Sequence, residues 1–127
     1  MPPSSHPLSS CWSQLLALYS LGENWNGYEV LAPNEGAIEE AKLWLLSFYE
    51  EVSGNEMPWI NPHVAANEAG DVALEWTRGI KRLNVFISPQ EAWYIKAWGP
   101  SVLHEMSDGS ISIRENRLAI WSWFMNE

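Results

Sequence analysis

Residues 71–98 read DVALEWTRGIKRLNVFISPQEAWYIKAW, and this stretch decides the fold. Side chains on a strand point to opposite faces with period two. Val72, Leu74 and Trp76 alternate with Ala73, Glu75 and Thr77, the pattern of a half-buried strand. Arg78-Gly79 marks a tight hairpin, because Gly takes a positive φ without steric cost. The return strand sets Leu83, Val85 and Ile87 against Asn84 and Phe86. After a second turn at residues 88–91, Trp93, Ile95 and Ala97 alternate with Tyr94, Lys96 and Trp98. The expectation is an antiparallel meander. Its aliphatic face holds Trp76 and Trp93, and its opposite face mixes Glu75, Asn84 and Lys96 with Phe86, Tyr94 and Trp98.

Upstream, the Pro/Ser-rich residues 1–8 read as a flexible N-terminus and residues 9–127 as a single domain. Ser9 or Ser10 can cap a first helix whose stripe is Trp12, Leu15, Leu16 and Tyr19, with Gly22 ending it. Residues 24–28, NWNGY, mark a tight turn. Asn34 suits the N-cap of a second helix reaching about Ser53, with Ile38, Ala41, Leu45, Phe48 and Val52 inward and Trp44 and Tyr49 beside them. Pro58 and Pro62 exclude helix from residues 55–62, a crossing that Trp59 pins to the core. His63–Ala66 is expected as a short edge strand.

Downstream, Gly99-Pro100 breaks the chain, residues 102–106 suit a further strand and Asp108-Gly109 a hairpin turn. A strand near residues 110–113 followed by a terminal helix is favoured, although SISI and LAIWSWF also alternate as strands do. The fold class is α+β: two N-terminal helices packed on one face of an antiparallel β-meander of four to five strands, with a C-terminal helix.

At 127 residues the chain can bury one core without a disulfide or metal. Its apolar runs are too short to span a bilayer, and MPPSSHPLSS lacks the charged and apolar regions of a secretory signal. The lone Cys11 excludes an internal disulfide and suits a reducing cytoplasm. Net charge is −9, split −7 over residues 1–60 and −2 over residues 61–127. That balance repels phosphate backbones and anionic lipid, so nucleic acid and membrane are disfavoured as partners. The basic cluster of Arg78, Lys81 and Arg82 reads as a solvated hairpin tip. Nine Trp exceed what one core of this size readily holds, which places several at a surface or under a loop.

The residues at 24–28, then Pro33, Ala37-Ile38 and the run 70–76, GDVALEW, resemble a family of small uncharacterised bacterial proteins. That family has a Trp-Asp-Gly-Tyr turn before an amphipathic helix and an Asp-Gly-x-(Ile/Val)-x-Leu-Glu-Trp strand after a Pro-rich crossing. The resemblance covers about residues 12–98. Asn26 stands where the family has Asp, and Gly70-Asp71 reverses the Asp-Gly order. It implies the topology and assigns no activity to any residue.

The residue types able to carry chemistry are dispersed along the chain. His6, His63 and His104 are scattered, and no HExxH or second Cys supplies a zinc set. Cys11 at a helix start suits a capping-region residue better than a nucleophile. No Gly-rich phosphate loop is present, so no cofactor is expected. Glu75 has Lys96 as its obvious companion, and such pairs are common across a sheet face. No residue is assigned to catalysis.

Two functions remain from different classes. The first is a non-enzymatic protein-interaction module (adaptor, inhibitor, antitoxin- or immunity-like, or a homodimer) whose contact residues are Phe86, Tyr94, Trp98, Glu75 and Lys96. Its rival structural reading has residues 114–125 folding over that face as a second packing layer. The second function is a small-ligand domain or weak enzyme with a pocket between sheet and second helix, using Glu75, His63 and His104. Mimicry of nucleic acid by the acidic helix ranks below both.

Overall fold

His63–Ala66 (β1), Val72–Arg78 (β2), Lys81–Ile87 (β3), Ala92–Ala97 (β4) and Met106–Ser110 (β5) form one antiparallel sheet in the order β1-β2-β3-β4-β5. Ser9–Leu18 (α1), Glu35–Gly54 (α2) and Arg114–Met125 (α3) complete the domain. The computed structural model describes residues 6–22, 31–101, 104–111 and 114–126, with side chains of α3 described from Arg117 onward. The turn at residues 24–28 and the expected strand residues Val102, Leu103, Ser112 and Ile113 lie outside the described residues.

The β2–β3 hairpin turns at Gly79, whose φ is +63°, with Arg78 opposite Lys81. In the next hairpin Ile87 stands opposite Ala92, so the turn spans four residues, 88–91. Asp108-Gly109 is not a turn. Both residues lie within β5, where Gly109 pairs with Tyr94 and leaves room for its ring. A Cβ at Gly109 would lie 3.1 Å from that ring.

Asn34 caps α2 by accepting the Ala37 N–H at 3.1 Å, and the buried row Ile38, Ala41, Leu45, Phe48 and Val52 is as the period requires. α1 keeps Trp12 and Leu15 of its expected stripe against the core but turns Leu16 and Tyr19 outward. Leu8, Cys11, Leu15 and Leu18 face the core, while Leu16 is 70% exposed and Tyr19 44% exposed. Both rows repeat at helical spacing, and docking against α2 and β1 selects between them. Neither Ser9 nor Ser10 caps the helix: Leu8 is the N-cap, and its N–H donates to Nδ1 of His6. Leu8, the last residue of the segment read as flexible, is fully buried. On the outer edge of the sheet, Val64 N–H donates to Gln14 Oε1 of α1 at 2.8 Å, occupying a donor that an edge strand leaves open.

Buried side chains of all three helices share one core with Val72, Leu74, Trp76, Leu83, Val85 and Ile87. At its centre Phe48 meets Trp59, Trp76 and Trp121 edge to face, and Trp59 stacks on Trp121 at 5.3 Å. Buried indoles need acceptors for their N–H groups. The Pro-rich crossing supplies them: Trp76 donates to the Ile60 carbonyl at 2.7 Å, Trp121 to that of Pro58 at 3.0 Å, and Trp59 to the Asn61 side chain at 2.7 Å.

Candidate functional site: the open face of the sheet

Directly opposed residues in an antiparallel pair share a face. Val85 opposes Tyr94 and Leu83 opposes Lys96, so Tyr94 and Lys96 belong to the helix-covered face. Phe86 opposes Trp93 and Asn84 opposes Ile95, so those two β4 residues lie on the open face. This corrects the face assignment of β4 made from its apolar alternation. The four-residue turn decides it, because one residue more or less in a hairpin loop moves every side chain of the following strand to the other face.

The five expected contact residues are therefore divided. Glu75 and Phe86 lie on the open face. Tyr94, Lys96 and Trp98 go with α3. Tyr94 packs against the core; Trp98 meets Trp123 edge to face at 6.2 Å; and Lys96 Nζ lies 5.0 Å from the Trp123 ring centre. Lys81 approaches the same ring from 5.1 Å and donates to the carbonyls of Trp123 and Asn126, joined there by Arg78. These cations sit at the helix C-terminus, where the backbone dipole favours them. The Arg78–Arg82 cluster is thus largely a C-terminal clasp for α3. Residues 114–125 do form a helix, and its Trp123 meets Trp98, whereas Phe86 lies on the opposite face of the sheet.

What remains on the open face is a small apolar strip. Phe86 and Trp93 stack at 5.6 Å with 24° between their planes. Both are half-buried, as is Ile95, and neither Phe86 nor Trp93 packs into the helix-side core. Ala73 and Ala97 lie flat between the strands and Met106 is 38% exposed at the β5 edge. Carboxylates border the strip on two sides. Glu75, opposite Asn84, stands diagonally from Phe86; Asp108, opposite Ile95, stands diagonally from Trp93. Neither has an ion-pair partner among the described residues. Arg82 marks the far end, beside Thr77 and Ala97.

Glu75, His63 and His104 do not come together. His63 is paired with Glu75 across β1 and β2, but His104 lies in the connection to β5, with β3 and β4 between. The cleft between α2 and the β3–β4 turn is about 170 Å³ and is lined by Glu40, Trp44, Gln90 and Arg117, not by these three. Pockets for small ligands run from about 300 Å³ upward. Among the described residues no three His, Cys, Asp or Glu come together as a metal site. Cys11 is fully buried, and burial pushes its thiol up to about 11, against a smaller downward pull from the Ser10 hydroxyl. A thiol in that state is a poor nucleophile.

No family model, curated protein or solved structure matches the chain. Trp93 and Ile95 are the residues that sequence alternation missed, and counting the four residues between Ile87 and Ala92 is the signal that finds them. No helix among the described residues is long and apolar enough to cross a membrane.

Proposed function

We propose that the protein is a non-catalytic protein-contact module whose contact surface is the open face of its sheet. The observation that carries this reading is the stacked Phe86–Trp93 pair, bordered by Ile95, on a face that none of the core-forming helices covers. Contiguous aromatic surface on a sheet face suits a contact, and Trp is enriched among residues that dominate binding energy. Adaptor, inhibitor and antitoxin- or immunity-like roles all use such a surface. The lone buried Cys11 supports work in a reducing cytoplasm.

The test compares wild-type protein with Trp93→Ala as immobilised bait in native extract, with folding checked by circular dichroism. A partner retained by the wild type and released by Trp93→Ala supports the reading. Retention unchanged in Trp93→Ala but lost in a variant of the exposed helix residues Leu16 and Leu43 would move the contact to the helical side.

A further inference from the structure

Resting on that reading, we infer the chemistry of the partner: the open face takes a cationic protein segment, with an arginine or lysine side chain over the Phe86–Trp93 pair between Glu75 and Asp108. The order across the strands is Glu75, Phe86, Trp93, Asp108, each carboxylate a diagonal neighbour of one ring. Diagonal neighbours lie roughly 7–8 Å apart at their Cα atoms, within reach of long side chains. A guanidinium lying on the indole can hydrogen-bond a carboxylate at the rim of the same ring, so aromatic and acid act on one cation together.

Charge across the rest of the molecule points the same way. Lys81 and Arg78 are held by the end of α3, Lys96 lies over Trp123, Lys42 over Trp12, and Arg117 is bonded to Glu51 at 2.7 Å. Most bases of a chain with net charge −9 thus have a contact within the chain, and on the open face Arg82 stands at the far end while Glu75 and Asp108 flank the ring pair. A second copy of this chain would bring another −9 against the same face, whereas a basic segment is drawn to it.

Three decapeptides of equal spacing, bearing arginine, lysine or glutamate between glycine and serine, serve as probes in an NMR titration of the full chain. The arginine peptide is expected to shift the Trp93 indole N–H, the lysine peptide to do so more weakly, and the glutamate peptide not at all. Glu75→Gln with Asp108→Asn should weaken the arginine peptide about tenfold without changing the fold, and Trp93→Ala should do the same. A Glu39→Gln, Glu50→Gln control on α2 should bind as wild type. Shifts centred on α2, equal binding by the Glu75/Asp108 variant, or sedimentation as a dimer that Trp93→Ala dissolves would each overturn the inference. A native partner that needs Trp93 yet ignores the Glu75/Asp108 variant would overturn it too, while leaving the protein-contact reading intact.

Discussion

The ammonium of Lys96 lies 5.0 Å from the centre of the Trp123 ring and so ties β4 to α3 from inside the molecule. Trp98 adds an edge-to-face contact to the same ring. Trp98→Ala and Lys96→Met are therefore each expected to lower stability by about 1–2 kcal/mol, since a partly desolvated cation–π or aromatic contact contributes on that scale. Neither change should alter capture of a partner that depends on Trp93. Urea titration of the two variants, beside the same capture assay, checks both halves.

Trp76 is 2% exposed and its indole N–H is bonded to the Ile60 carbonyl. Trp76→Ala leaves a cavity among Phe48, Trp59 and Trp121 and an acceptor without its donor. The expected loss is about 3–5 kcal/mol, read from the shift in the denaturant midpoint. A loss below about 1 kcal/mol would contradict the packing described.

Gly70 has φ +85°, and a Cβ there would stand 2.8 Å from the Ala32 carbonyl oxygen. Its own carbonyl accepts the Asn34 N–H at 2.8 Å, holding the start of α2 to the β1–β2 connection. The obstacle is backbone, so it cannot rotate away. Gly70→Ala should cost about 2 kcal/mol from strain and displacement combined. Amide exchange at Asn34 and Ala37 should accelerate in the same variant.

Cys11 gives a pH signature. Its thiol titrates from 9.0 in an unfolded chain but is pushed up to about 11 by burial in the fold. Below pH 9 the thiol keeps its proton in both states and the stability contribution is complete. As pH rises from 9 to 11 only the unfolded chain releases the proton, so stability falls by at most about 2–3 kcal/mol. That slope should be absent in Cys11→Ala. At pH 8 a disulfide reagent should modify Cys11 only as fast as the protein opens.

Much of this architecture was legible in local pattern. The α2 stripe, its Asn34 cap, the Gly79 hairpin and the core row of β2 follow from period, capping chemistry and turn chemistry within a few residues. These signals are local because each depends on neighbours along one element. Where two local solutions were equally apolar, the alternation could not choose. α1 offers both 12-15-16-19 and 8-11-15-18 as helical rows, and contact with α2 and β1 selects the second. Asp108-Gly109 carries a turn signal, yet Gly109 serves instead as the flat place on which the Tyr94 ring lies.

The candidate site shows the division most sharply. The alternation of β4 carries two rows, Trp93-Ile95-Ala97 and Tyr94-Lys96-Trp98, each with enough apolar surface to be buried. The net charge of −9 is likewise a property of composition alone. Which row meets solvent depends on strand register and on the packing of α3. The register Ile87 opposite Ala92 turns Tyr94 inward, and α3 then folds onto Tyr94, Lys96 and Trp98, where Trp123 finds two ammonium groups and Phe124 finds the core. Faces of a strand differ only by parity, and parity is set by a turn and by what packs from far along the chain. The composition of the strand alone does not contain it.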